Sequence, residues 1–315
     1  MSKRKKVGLA LGSGSSRGWS HIGVIKALVE NNIPIDFIAG TSIGAYVGAI
    51  AASGGIEEFE KIVLDMDWKR VVSLLDISMS RTGVLDGRKV MDLAEDVMMA
   101  KTFNELKIPL RVVTADLNKG EEIIISKGFV REAVRASISI PGIFRPIELN
   151  GILCVDGGIL NPVPVDVVRN MGADVIIAVD LNRCLINRHK KKQTKKEEKR
   201  DKALSTAILD KLTGHFTSVE SLVKTWFKIE TVDYIKEEEK DEIPGFLDIY
   251  RQSLDIMEMQ IARLALQLTR PDIVITPDLG HIKLMDFDLG KETIAEGYKK
   301  TMEQMGKISM VAGSQ

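Results

Sequence analysis

The sequence has few cysteines, no excess charge of either sign and no long apolar run, and each absence excludes a class of protein. Its 315 residues include two cysteines, Cys154 and Cys184, without C-x-x-C spacing. Such a chain is not a disulfide scaffold and is typical of a reducing compartment. The 44 basic and 44 acidic residues cancel, so no overall field favours nucleic acid as a partner.

Signals for the membrane and for secretion are weak as well. No apolar stretch reaches the roughly 18 uninterrupted residues of a membrane-spanning helix. The basic start Met1–Lys6 is followed by an apolar run that Gly12 and Gly14 interrupt. That pattern is typical of a first strand and not of a signal peptide. We therefore expect a cytoplasmic protein.

The glycine spacing argues against a dinucleotide site. Gly12, Gly14 and Gly18 follow the first apolar run as G-x-G-x-x-x-G, one residue longer than the dinucleotide fingerprint G-x-G-x-x-G. No cluster of histidine, cysteine and carboxylate has the spacing of metal ligands. The sequence therefore predicts neither a cofactor nor a metal.

What the sequence does contain is an alternation of apolar strands and helices, which predicts an α/β fold with a mostly parallel sheet. The expected strands are Val7–Leu11, Pro34–Ala39, Pro109–Ala115, Glu122–Ser126, Ile152–Val155, Asp174–Val179 and Ile273–Thr276. The expected helices are Trp19–Leu28, Ile43–Ser53, Val130–Ile138, Asn161–Gly172, Phe246–Leu268 and Glu292–Met305, with a mostly helical stretch at Ile56–Met99 as a cap over the site.

The second expected strand leads into a G-x-S-x-G pattern, Gly40–Gly44, with Ser42 at its centre. This is the pattern of a nucleophile elbow, in which a sharp turn from strand to helix lifts the serine hydroxyl above the sheet. The glycines avoid collisions in the tight turn. Taken alone, the pattern fits equally a strand-to-helix turn with a capping serine, so the rest of the chain must decide.

A serine nucleophile needs a base, and the sequence offers a histidine or a carboxylate. Of the histidines after Ser42, His189 and His215 lie in the stretch that interrupts the α/β alternation, so His281 is the best placed. His281 follows the last strand and fits the chain order of an α/β-hydrolase triad, although Ser42 comes on an earlier strand than in that fold. Asp156 stands at a strand end before two glycines, where desolvation can raise its pKa from about 3.9 towards that of a useful base. An ordinary Asp-Gly turn is the alternative for Asp156.

The glycine loop Gly12–Gly18 lies at the junction of the first strand and helix. Such loops present successive backbone N–H groups to an anion. In a hydrolase, these groups stabilise the negative charge that develops on a carbonyl oxygen. Because Ser42 ends the next strand, an oxyanion-binding loop is favoured over a phosphate-binding one.

Taken in order, these motifs resemble the patatin-like phospholipase family, and two further stretches resemble its bacterial members. The resemblance covers about residues 6–181 and resumes over about 257–297. The motifs that carry it are the glycine loop with Arg17–Gly18, His21–Val24, Gly40–Gly44, Ser139–Phe144 and Asp156–Gly158.

The resemblance implies a three-layer α/β/α hydrolase that cleaves fatty acyl esters of phospholipids or lysophospholipids and needs no cofactor. Ser42 would be the nucleophile and Asp156 the base of a Ser-Asp dyad. The backbone N–H groups of Gly14, Ser15 and Ser16 would form the oxyanion hole.

The loop departs from the family pattern G-G-G-x-R-G, because Ser13–Gly18 reads Ser-Gly-Ser-Ser-Arg-Gly. Serine keeps the N–H but adopts glycine-only backbone angles at a cost. A malformed loop would leave a weak hydrolase or a catalytically silent lipid-binding regulatory protein. Arg17 is expected to orient the loop or to bind a lipid phosphate, with a structural ion pair as the alternative.

We expect residues 1–315 to form one domain, interrupted by a charged and amphipathic helical insertion at 182–250. Residues 188–229 join a basic run to an amphipathic stretch, and an acidic run follows at 237–242. Residues 188–229 fit a peripheral contact with an anionic membrane. They fit equally a solvated linker followed by a core helix or a helix that forms a homo-oligomer.

Overall fold

The structure is a computed structural model that describes residues 4–80, 83–183 and 246–313. Most of the expected insertion, and with it the membrane or oligomer contact at 188–229, falls outside the described residues and stays a prediction. The single domain over 1–315 stays a prediction for the same reason. Among the described residues, no helix combines the length and the hydropathy that a membrane span requires.

The described chain alternates between strands and helices as expected. The strands are β1 (Val7–Leu11), β2 (Phe37–Thr41), β3 (Ile77–Ser80), β4 (Gly83–Leu85), β5 (Leu110–Asp116), β6 (Glu121–Ile125), β7 (Ile147–Leu149), β8 (Ile152–Asp156), β9 (Val175–Val179) and β10 (Ile273–Ile275). The helices are α1 (Ser20–Glu30), α2 (Ile43–Ser53), α3 (Ile56–Leu64), α4 (Trp68–Leu74), α5 (Arg88–Glu95), α6 (Val130–Ser137), α7 (Val165–Asn170), α8 (Phe246–Thr269), α9 (Gly290–Met302) and α10 (Met305–Ala312).

The central sheet is mostly parallel, which confirms the predicted fold class. Its order is β10-β9-β1-β2-β5-β8-β7, with β6 paired to β5, while β3 and β4 form a separate hairpin. Strands β10, β9, β1, β2 and β5 run parallel, whereas β6, β7 and β8 pair antiparallel. The carboxyl ends of β1 and β2 therefore lie side by side, and the glycine loop and the elbow follow from that edge.

Helices cover both faces of the sheet, because alternate residues of each buried strand point to opposite sides. In β1, Leu9 and Leu11 join a core with α1 and α2. Ala10 lies in a second core, with Val168 of α7 and Ala262 of α8. The result is the predicted three-layer arrangement.

Several details differ from the predictions, among them the starts of β2, at Phe37 and not Pro34, and of α7, at Val165 and not Asn161. Strand β7 was not expected, although Asn150 and Gly151, with φ of 52° and 79°, form the Asn-Gly turn that is a strong hairpin signal. The stretch expected to be mostly helical contains the β3–β4 hairpin. The last predicted helix, Glu292–Met305, is wrong in extent, since α9 ends at Met302 and α10 begins at Met305.

Candidate active site

Ser42 occupies a strained turn between β2 and α2. Its backbone angles are φ 56° and ψ −125°, a combination that non-glycine residues rarely adopt. A Cβ added to Gly40 would overlap the backbone of Gly44, and one added to Gly44 would overlap that of Leu11. The Ser42 N–H donates to Ser137 Oγ at 2.8 Å. The expected elbow geometry is therefore present and has a buried hydrogen bond of its own.

The structure brings Ser42 and Asp156 together. Ser42 Oγ donates a 2.5 Å hydrogen bond to Asp156 Oδ2, and the Gly158 N–H donates to Asp156 Oδ1 at 2.7 Å. The two side chains belong to buried residues, 4% and 3% exposed. Asp156 ends β8, which places its carboxylate at the edge of the sheet from which the elbow rises.

Burial raises the pKa of Asp156 to about 8, with a further contribution from the negative charge of Glu258. The hydrogen bonds from Ser42 and Gly158 act in the opposite direction, because they favour the ionised form. A proton acceptor whose pKa lies near the working pH is well matched to general base catalysis.

The glycine loop continues into a short 3₁₀ helix, Ser15–Trp19. The first N–H groups of a helix have no partner within it; that those of Gly14, Ser15 and Ser16 form an oxyanion hole stays a prediction. Ser15 takes a positive φ of 51°, the conformation whose cost for serine the sequence predicted. The loop packs closely on the elbow: a Cβ on Gly18 would overlap the Ile43 side chain.

Arg17 is buried, at 5% exposed, and is tied to the glycine loop. Its Nε donates to the Gly14 carbonyl at 3.0 Å, which fits the loop-orienting role. Among the described residues, its Nη1 has no hydrogen-bond partner. Contact with a lipid phosphate stays a prediction.

Neither His281 nor His21 is paired with Ser42. His281 Nε2 lies 2.7 Å from Glu292 Oε1 in a partly exposed pair. His21 is fully buried, and its Nε2 lies 2.8 Å from the Gly12 carbonyl. Because a carbonyl only accepts, Nε2 carries the proton there. Burial lowers the pKa of His21 to about 4, so this histidine is neutral and supports the glycine loop.

An apolar pocket opens beside Ser42. Ser15 and Ser42 line it together with apolar side chains of α4, α5 and the loop before α9. The expected cap region contributes Val71 and Val90 to this lining. Tyr46, which also lines the pocket, donates its hydroxyl hydrogen to the Val90 carbonyl at 2.7 Å. The pocket can therefore exclude water from the side of Ser42 that it encloses.

Two groups at the site are not among the residues predicted from the sequence. Ser137 donates to the Val113 carbonyl at 2.6 Å while it accepts from Ser42. Glu258 accepts from Ser13 Oγ at 3.0 Å. The signal for Glu258 was its position on an apolar helix stripe, four residues from both Leu254 and Ala262, where a charge is costly unless it is paired.

The described residues contain no group of three or more histidine, cysteine, aspartate or glutamate side chains that could hold a metal ion.

Comparisons with known proteins find one matching family model and several similar sequences. The family model described as patatin-like phospholipase matches residues 9–169. An uncharacterized NTE family protein of Mycobacterium bovis is 41% identical over 181 residues, 58% of this chain and 50% of that protein. Patatin-like phospholipase domain-containing protein 6 of Homo sapiens is 33% identical over 182 residues, 56% of this chain and 13% of that protein.

The chain thus spans half the length of the first relative and a small part of the second. Among solved structures, VipD from Legionella pneumophila is similar with a TM-score of 0.47 and 13% identity, covering 97% of this chain and 67% of that one.

Proposed function

The chain belongs to the patatin-like phospholipase family, and from the geometry of its site we propose that it is a serine lipid acyl hydrolase. The observation that carries the proposal is the 2.5 Å hydrogen bond from Ser42 Oγ to Asp156 Oδ2, at a serine that lines an apolar pocket. The proposed substrates are phospholipids or lysophospholipids, whose acyl chains the pocket would accept.

In the proposed mechanism, Ser42 Oγ attacks the ester carbonyl carbon while Asp156 Oδ2 accepts the hydroxyl proton. The N–H groups of Gly14, Ser15 and Ser16 stabilise the negative charge on the carbonyl oxygen. Asp156 returns the proton to the departing alkoxide of the glycerol backbone, which leaves an acyl-enzyme on Ser42. Asp156 then takes a proton from a water molecule that attacks the acyl carbon, and it gives that proton to Ser42 Oγ as the bond to the acyl carbon breaks and the fatty acid is released.

Two features support Asp156 as the base. Its carboxylate already accepts from the Ser42 hydroxyl, whereas the other candidate, His281, is paired with Glu292. Its pKa near 8 also leaves it a stronger proton acceptor than an exposed aspartate.

The experiment that tests the proposal is fatty acid release from a panel of phospholipids and lysophospholipids. We expect Ser42→Ala and Asp156→Asn to lower the rate by about a thousandfold or more. His281→Ala, the matched control, should keep most of the wild-type rate. A fluorophosphonate probe should label the wild type and fail to label Ser42→Ala.

Two outcomes would contradict the proposal. If folded wild-type protein neither releases fatty acid nor reacts with the probe, a lipid-binding regulatory role becomes the better account. If His281→Ala abolishes release while Asp156→Asn keeps it, the enzyme is an esterase with a Ser-His triad.

A further inference from the structure

A second carboxylate lies beside the proposed dyad. Glu258 comes from α8, outside residues 9–169 that the family model matches. Its Oε2 accepts from Ser13 Oγ at 3.0 Å, and the same Ser13 Oγ accepts from Asn182 Nδ2 at 3.1 Å. Ser13 is buried within the glycine loop. Glu258 is therefore fastened to the loop that carries the proposed oxyanion N–H groups.

The carboxylates of Glu258 and Asp156 face each other across Gly158. The point that a Cβ of Gly158 would occupy lies 3.1 Å from Asp156 Oδ1 and 3.2 Å from Glu258 Oε1. Glycine leaves this space open, so no side chain of residue 158 separates the two groups. Like charges at such short range act strongly on each other when they are buried.

The groups around Glu258 and Asp156 affect the ionisation of the two carboxylates differently. Arg17 faces Glu258 from the glycine loop and Ser13 donates to it, and both favour its ionised form. Burial opposes ionisation most strongly, the negative charge of Asp255 on the same helix adds to it, and together they raise the pKa of Glu258. Ser42 and Gly158 donate to Asp156. Among the described residues, the positive charge that acts on this pair is that of Arg17, and it acts on Glu258.

We propose that Glu258 is a positioning residue of this site: it holds the glycine loop through Ser13, and its negative charge sets the pH at which Asp156 can accept the Ser42 proton. The inference rests on the proposed function. A neutral residue at position 258 would let Asp156 ionise at lower pH, because the repulsion between the two carboxylates would be gone.

The first test is the pH dependence of kcat/KM for fatty acid release and of probe labelling at Ser42. Both should rise with pH as Asp156 ionises. In Glu258→Gln, which keeps the shape and an acceptor for Ser13, we expect this rise to move to lower pH by about one unit. Glu258→Asp keeps the charge and should stay close to the wild-type profile. Glu292→Gln, which removes one negative charge at the surface, is the matched control and should not shift.

The second test does not need turnover. The carboxyl carbon of Asp156 can be titrated by NMR in protein labelled with ¹³C-aspartate, its signal assigned by its loss in Asp156→Asn. We expect the midpoint in Glu258→Gln to lie about one pH unit below that of the wild type. If Glu258→Gln does not fold, Glu258→Asp must still keep the wild-type midpoint, and a change there overturns the inference.

Failure of the proposed function and failure of the inference about Glu258 give different results. A wild type that neither hydrolyses lipid nor reacts with the probe contradicts the proposed function, while the titration still decides the role of Glu258. If Glu258→Gln loses rate equally at every pH and the Asp156 midpoint does not move, Glu258 is only a structural anchor and the inference is wrong.

Discussion

Ser15 Oγ donates a 2.8 Å hydrogen bond to the backbone carbonyl of Leu284, which lies 269 positions later in the chain. Ser16 Oγ makes the matching bond to the Lys283 carbonyl at 2.6 Å. The loop before α9 also lines the pocket through Leu284. The two serines therefore attach the glycine loop to a wall of the pocket. Serine at position 15 provides one of these bonds, but its positive φ of 51° is more costly for serine than for glycine.

The hydrogen bond and the backbone strain at Ser15 together predict that the wild type is the most stable protein, followed by Ser15→Gly and then by Ser15→Ala. Ser15→Ala loses the bond and keeps the positive φ, so we expect it to lower the free energy of unfolding by about 1–2 kcal/mol. Ser15→Gly loses the same bond but relieves the backbone strain, so its loss should be smaller. Urea unfolding measures both. Ser73→Ala, which removes an exposed hydroxyl bonded to its own helix, is the control, and a glycine variant less stable than the alanine variant would contradict the strain argument.

The elbow and the strand-end aspartate were predictable because each is encoded within a few neighbouring residues. The glycine spacing in Gly40–Gly44 predicts the sharp turn from strand to helix. The two glycines after Asp156 predict a carboxylate beside backbone that no side chain covers. The meeting of Ser42 and Asp156 itself followed only from the family resemblance, since nothing local in the sequence pairs residues that stand so far apart.

The contacts that support the site were not predictable for the same reason. Glu258 and Leu284 reach the glycine loop from segments that begin beyond position 245. Periodicity describes which face of a helix is apolar, but not which distant loop that face meets. The break between α9 and α10 was also hidden, because apolar residues continue at helical spacing through Met305.

The close approach at the elbow predicts that Gly44 does not tolerate a side chain. In Gly44→Ala the new Cβ would overlap the Leu11 backbone of β1, so the strand and helix must separate. We expect a loss of several kcal/mol of stability together with loss of probe labelling at Ser42. Gly306→Ala is the matched control, since no atom of the described residues lies within 4 Å of a Cβ there, and alanine is favoured within α10. Wild-type labelling in Gly44→Ala would show that the turn relaxes freely.

Buried His21 predicts a loss of stability in mild acid. Its pKa is about 4 in the folded protein and 6.5 in the unfolded chain, so below pH 6.5 the unfolded chain binds a proton that the folded protein does not. Stability must then fall as the pH drops from about 6.5 towards 4. Between pH 7 and pH 5 the contribution of this one group is about 2 kcal/mol.

The measurement is urea unfolding of wild type and His21→Gln at both pH values. Glutamine can still donate to the Gly12 carbonyl but does not titrate, and the other titrating groups are common to both proteins. We expect the wild type to lose about 2 kcal/mol more than the variant on acidification. An equal loss in both would mean that His21 is protonated in the folded protein.

The apolar pocket predicts how the proposed enzyme discriminates between acyl chains of different length. Val71 of α4 is 3% exposed and lines the pocket near Ser42, so Val71→Phe should fill part of the space that a long chain needs. Release from palmitoyl lipids should fall at least about tenfold relative to octanoyl lipids, because a pocket discriminates by the chain carbons it can bury. Val29→Phe makes the same change at a residue 58% exposed on α1 and should leave the ratio unchanged. If Val71→Phe lowered release from both lipids equally while the protein stayed folded, the acyl chain would have to bind elsewhere.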